Sequence, residues 1–128
     1  MATKKLTSLD GDNSIDVQEI SHVEAMEKYN EQITIVTLKN THQLETDTSL
    51  ADVVAAINRD RKPPLVELDD TTHVAVEEVL YAKGKERNAT NVLMRNGKLL
   101  NVTAPQAAVK NTIDTALDKQ AYSARQTG

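Results

Sequence analysis

The stretch from Ile33 to Asn58, ITIVTLKNTHQLETDTSLADVVAAIN, is echoed by Asn91 to Asp114, NVLMRNGKLLNVTAPQAAVKNTID. Such an echo favours architectures that hold two similar units. Within the first stretch Ile33, Ile35 and Thr37 share one face of a strand and Thr34, Val36 and Leu38 the other, a β-branched run suited to a sheet covered on both sides. Asn40-Thr41 supplies turn chemistry, and His42 to Thr46 pairs back. Asp47 can then cap a helix whose apolar stripe is Leu50, Val53, Val54 and Ile57, at i, i+3, i+4 and i+7.

The second stretch repeats this order. Val92, Leu93 and Met94 form a strand, Asn96-Gly97 is a strong two-residue hairpin signal, and Leu99, Leu100 and Val102 return along it. Thr103 and Gln106 have capping-box spacing, Pro105 is tolerated in a first turn, and Val109, Ile113, Ala116 and Leu117 make the matching stripe.

The correspondence extends upstream. An offset of 59 places Leu6, Leu9, Asp10, Val17 and Glu19 on Leu65, Leu68, Asp69, Val76 and Glu78. An offset of 56 then places Thr34, Val36, Asn40, Leu44, Ala51, Val53 and Ile57 on Thr90, Val92, Asn96, Leu100, Ala107, Val109 and Ile113. Lys4 to Leu9 reads as a short strand and Ser14 to Ala25 as a second. The alternation in that second strand breaks at Gln18-Glu19, as it does at Glu77-Glu78 in the other copy, which predicts a bulge or bend in each.

The expected fold is α+β: two tandem ββββα repeats, mostly antiparallel, with the helices on one face. They make one domain over 1-128, with a first repeat at 1-60, a second at 61-120 and a frayed tail at 121-128. Met26 to Gln32 reads as a loop, and Asn58 to Pro64, with its double proline, as a linker.

Composition narrows the chemistry. The 128 residues include no Cys, Trp or Phe, so thiol chemistry is excluded and the core must be aliphatic. Residues 1 to 60 hold five Lys and Arg against eleven Asp and Glu, a net −6; residues 61 to 128 hold ten against eight, a net +2. Neither a signal peptide nor a membrane span is visible, which points to a cytoplasmic or particle-associated protein without membrane contact.

Catalytic and metal signatures are sparse. Asp10, Asp12, Ser14 and Asp16 alternate like the start of a calcium loop, but Ile15 stands where glycine is needed and Ser21 where a bidentate Glu is needed. A solvated turn is the plainer reading. His22, His42 and His73 lack helical metal-site spacing, and the glycines are too scattered to cradle phosphate. The expectation is therefore a protein that is not an enzyme and uses no cofactor and no metal.

Two kinds of partner remain. Lys83, Lys85 and Arg87, with Arg95 and Lys98, sit on the two sides of one expected hairpin and could track a nucleic-acid backbone as a single-stranded nucleic-acid-binding module. The leading reading, to which nucleic-acid binding is the alternative, is a non-catalytic interaction or assembly protein, self-associating or joining a protein partner, as in a viral, phage-type particle. In that case the acidic first copy pairs with the basic second copy of a neighbour as a homo-oligomer. A small-ligand protein with a pocket between the copies is a third reading.

The residues ITIVTLKNTHQLETDTSLADVVAAI and VLMRNGKLLNVTAPQAAVKNTI resemble the FlbD family of flagellar and swarming-motility proteins, which carry one such unit. The tandem ββββα order is also similar to the PUR and Whirly single-strand-binding proteins, a resemblance that implies nucleic-acid binding but brings over no residues.

Overall fold

The computed structural model describes the backbone of residues 5 to 127 and the side chains of residues 5 to 121. Ten strands and two helices follow in order: β1 Thr7–Ser8, β2 Ser14–Ile15, β3 Ile20–Lys28, β4 Glu31–Leu38, β5 Gln43–Thr46, α1 Leu50–Asp60, β6 Val66–Asp69, β7 Thr72–Val74, β8 Val79–Glu86, β9 Ala89–Met94, β10 Leu99–Val102 and α2 Gln106–Thr127. The chain is thus α+β, and every described strand pairing is antiparallel.

The sheets do not divide where the sequence halves do. There is a two-stranded sheet β1-β2, a three-stranded sheet β10-β9-β8, and a five-stranded sheet β5-β4-β3-β7-β6 that takes strands from both halves. Four strands per half is also too few. The expected strand from Ser14 to Ala25 is cut by a 3-10 turn at Val17–Glu19, and a second such turn occupies Val76–Glu78. Both fall where the apolar alternation loses phase, and each is followed by a register shift in the next strand. Lys4, the first residue of the expected leading strand, lies outside the described residues.

Two aliphatic cores fill the spaces between sheets and helices. One holds Ile15, Val23, Val36, Val53 and Ile57; the other holds Val74, Val92, Met94, Val109 and Ile113. Each helix therefore closes its own core, α1 with Val53 and Ile57 and α2 with Val109 and Ile113, while Leu117 of the expected second stripe is exposed. The N-cap of α1 is Ser49, whose Oγ accepts from the Asp52 N–H at 3.2 Å, so the cap falls two residues after the expected Asp47. No capping box joins Thr103 to Gln106: the Thr103 N–H donates to Asp69 and the Gln106 side chain reaches the Ala82 carbonyl. The stretch expected to fray, 121 to 128, continues α2 as far as Thr127.

Hydrogen bonds recur between distant positions. Thr34 Oγ1 donates to the Thr48 carbonyl and Thr90 Oγ1 to the Ala104 carbonyl, each at 2.7 Å. The Lys39 N–H reaches Glu19 O at 2.8 Å, as the Arg95 N–H reaches Glu78 O at 2.7 Å. The turn after β4 and the turn after β9 close alike, Leu38 N–H to His42 O at 2.8 Å and Met94 N–H to Lys98 O at 2.9 Å. Both are longer than the two-residue hairpin expected at Asn96-Gly97. A two-residue hairpin does exist where a loop is expected, at Tyr29-Asn30, with φ of 53° and 63°.

The turn after β9 has Gly97 at φ +91°, whereas the turn after β4 forces a threonine to φ 77° at position 41. A β-branched residue in that region is strained. Replacing Thr41 by Gly should raise stability by about 1 kcal/mol, or roughly 4 °C in Tm, measured by thermal denaturation; an unchanged or lower Tm would contradict the strain.

Candidate functional site

The five cations singled out in the sequence do not form one cluster. Lys83 and Lys85 lie on β8 and Arg87 in the turn to β9, whereas Arg95 and Lys98 lie in the turn at the other end of β9. The six residues of β9 separate Lys85 and Arg87 from Arg95 and Lys98, roughly 20 Å, while Lys83 lies partway along, opposite Asn91. Sequence spacing placed the five on two sides of one hairpin; the intervening strand spreads them along it.

The two groups also differ in what holds them. Arg95 is engaged by the acidic 3-10 turn, with Nε 4.0 Å from Glu78 Oε2 and Nη2 3.4 Å from the Glu77 carbonyl. Lys98 is exposed in its turn. Lys83, Lys85 and Arg87 are exposed too, and among the described residues none of the three has an ion-pair partner. The hairpin thus carries three exposed cations around the single carboxylate of Glu86, an excess of positive charge in a chain of net charge −4. Tyr81 on the same strand is 47% exposed, and it is the one aromatic on that hairpin.

The alternating acidic run serves structure. Asp10 Oδ1 accepts from the N–H groups of Asp12 and Asn13, each at 2.7 Å, and Oδ2 accepts from the Thr46 hydroxyl of β5. Asp69 closes the corresponding turn, accepting from the Thr71 N–H at 2.8 Å and the Thr103 N–H at 2.7 Å. The Thr46 hydroxyl, then Asn13 and the backbone donors, lower the Asp10 pKa from 3.8 to about 2. For Asp69 burial pulls upward, but the donors from Thr103 and Thr71 outweigh it and its pKa is lowered as well.

Because both carboxyls titrate lower in the folded chain than in the unfolded one, their contribution is complete above the unfolded pKa. It is lost as pH falls through the folded value. Tm should therefore drop between about pH 4 and pH 2, and Asp10→Asn should flatten that acid limb while lowering Tm at neutral pH. An unaltered acid limb in the variant would remove Asp10 from the account.

The histidines lie in different environments. His22 is buried, with Nδ1 3.1 Å from Ser21 Oγ and Nε2 3.4 Å from Glu24 Oε1. His73 faces Val23 across the sheet, and burial, opposed by Glu67 and Asp69, lowers its pKa. His42 is exposed beside the turn after β4. Among the described residues no three His, Asp or Glu side chains are grouped as metal ligands.

The segment read as a linker carries a feature the sequence did not announce. Arg61 is 1% exposed. Its Nε donates to the Val17 carbonyl at 3.1 Å, and its two terminal nitrogens donate to the Pro63 carbonyl and to Glu77 Oε1. One guanidinium thus joins the first 3-10 turn, the connection and the second 3-10 turn. The only hint was an arginine directly before a lysine and two prolines at the end of an amphipathic helix. Beside it an open groove of about 1040 Å³ runs between residues 58 to 64 and α2, flanked by Lys62 and Lys119. Apart from Asn58 its lining comes from the connection, Val66 and α2 rather than from both halves, and the Arg61 donors are already committed elsewhere.

No protein-family model and no curated protein sequence matches the chain. Among solved structures it is similar to the LytTr DNA-binding domain of a protein described as a methyl-accepting/DNA response regulator from Bacillus cereus. The TM-score is 0.58 at 14% identity, over 91% of this chain and 98% of that one. The likeness establishes the fold. It overturns the resemblance to the FlbD family and to the PUR and Whirly repeats, because those rested on short apolar patterns and strand order that this different β-rich fold also produces. Among the described residues no helix is long and apolar enough to cross a membrane.

Proposed function

We propose that the protein is a non-catalytic nucleic-acid-binding module that grips the phosphate backbone with Lys83, Lys85 and Arg87. The observation that carries the reading is the exposed cationic tip of the β8–β9 hairpin, borne by the fold of a LytTr DNA-binding domain. Arg95 and Lys98 are secondary, since a strand separates them from the tip and Arg95 is held by Glu78. With isolated tyrosines in place of a stacking platform, charge rather than base stacking supplies the affinity, and duplex and single strands are both substrates for such a tip. The compartment that fits is the cytoplasm. The fold likeness lends its weight to this reading and not to that of a component of a phage-type particle.

We also read the two halves as copies of one unit. The support is the set of hydrogen bonds that recur at fixed spacing and the two 3-10 turns at equivalent positions.

Fluorescence anisotropy with duplex and single-stranded oligonucleotides over a salt series tests the function. Reversing Lys83, Lys85 and Arg87 to Glu should weaken binding by roughly two orders of magnitude and reduce the salt slope by about 3. Reversing Lys110 and Lys119 on α2 should do much less. Equal losses from both sets, or no binding by the unaltered protein at low salt, would refute the assignment.

A further inference from the structure

Strand β3 and strand β8 occupy equivalent places in the two halves, yet they differ in what covers them. β7 lies against β3, with His22 opposite Val74, Val23 opposite His73 and Glu24 opposite Thr72. Among the described residues no strand pairs with the outer edge of β8, which ends its sheet in the order β10-β9-β8; only the Gln106 side chain of α2 reaches it. Burial follows: Ser21, His22 and Val23 are all buried, whereas Leu80 and Tyr81, at the positions of Ser21 and His22, are 50% and 47% exposed. The hairpin β1-β2, which holds the place of β6-β7 in the order of the other half, has the outer edge of β2 unpaired among the described strands. Of the open edges, that of β8 is the one whose counterpart, β3, is filled in the other half, and β1-β2 is a hairpin of the kind that fills it.

We propose that the β1-β2 hairpin of a second copy docks on the β8 edge in the register that β7 uses on β3. The proposal rests on the equivalence of the two halves. Because Lys83 and Lys85 serve both roles, docking and nucleic-acid binding would compete for this edge, and the proline variants at positions 82 and 14, which leave the cations in place, separate the two. Shifting the β3–β7 register by 59 sets Tyr81 opposite Ile15, Ala82 opposite Ser14 and Lys83 opposite Asn13. The backbone groups are aimed correctly. The bonds Ala25 N–H to Thr71 O and Ala75 N–H to Ser21 O show that Ser21 and Ala25, and by alternation Val23, point their backbone toward β7. Ala82, at the Val23 position, points its backbone out of the sheet, and its carbonyl is met by Gln106 Nε2 at 3.4 Å, a long bond that an incoming N–H can displace. On the hairpin, the Leu9 N–H to Asn13 O bond at 2.8 Å turns Asn13 toward β1, and hence Ser14 outward.

Charge selects the same pairing. The hairpin turn bears Asp10 and Asp12, and the edge it would meet bears Lys83 and Lys85. The association is head to tail, so a donor hairpin and an acceptor edge remain at the two ends of every oligomer and growth is open.

The test is sedimentation velocity of the nuclease-treated full chain from micromolar to millimolar. The unaltered protein should grow in mass with concentration and less so at high salt. Ala82→Pro should abolish growth by removing an outward N–H while sparing the β8–β9 ladder, and Ser14→Pro should do so from the hairpin side. Either variant alone should be monomeric, and an equimolar mixture should form a dimer and stop, since each supplies the part the other lacks. In case a proline disturbs folding, the charge pair gives a second route: Lys83→Glu or Asp12→Lys alone should weaken association roughly tenfold, and the two together should restore it. A monomer at all concentrations, growth in either proline variant, or charge reversals without mutual rescue would overturn the proposal.

Discussion

Replacing Arg61 by alanine should destabilise the protein by about 3 kcal/mol, a fall of roughly 12 °C in Tm, read by urea and thermal unfolding. The guanidinium is the largest fully buried side chain and serves three acceptors on three segments. Truncation strands the Val17 and Pro63 carbonyls and leaves a cavity between the halves. Glu77 is one-third exposed on its side chain, so water takes up part of the loss there, which keeps the estimate at the lower end for a buried pair. Arg61→Lys should recover little, because an ammonium cannot reproduce the planar fork that reaches all three acceptors. If Arg61→Ala were to unfold with unchanged midpoint, the β3–β7 pairing and apolar contact would suffice to hold the two halves.

Ile57→Ala should cost about 3 to 4 kcal/mol, and Ile113→Ala somewhat less, both measured by denaturant midpoint at constant m-value. Ile57 is fully buried in the first core, and Ile113 is 7% exposed in the second, where the lining can relax more readily toward the surface. Because the two side chains lie in different cores, their costs should add to within about 0.5 kcal/mol in the double variant. A large positive coupling would mean that the shared five-stranded sheet transmits strain from one core to the other.

Local pattern was legible wherever one short segment decides its own conformation. The stripes Val53, Val54, Ile57 and Val109, Ile113 could be read as helices because burial on one helical face needs that spacing and little else. The phase breaks at Gln18-Glu19 and Glu77-Glu78 were visible for the same reason, although the 3-10 geometry was not, since a bulge and a tight turn interrupt alternation equally. The Tyr29-Asn30 hairpin escaped notice because tyrosine is an uncommon residue at positive φ.

Neither the sharing of strands between sheets nor the placing of the site could be read this way. Strand pairing is set by which backbone edges meet, and the sequence of β7 carries no mark that it will lie on β3 rather than within its own half. The five cations shared one sequence neighbourhood, yet strand length carried Arg95 and Lys98 to the far end of β9. Arg61, close to two prolines in what reads as a connection, became the buried link between halves only when two 3-10 turns distant in sequence brought Val17 and Glu77 to it. The sequence by itself determined the two helices with their apolar faces, the aliphatic character of the cores and the exclusion of thiol chemistry, because these depend on periodicity and residue type. Only the tertiary structure decided the edge left open on β8, the isolation of the Lys83, Lys85 and Arg87 tip, and the role of Arg61, because each depends on contacts between residues far apart in the chain.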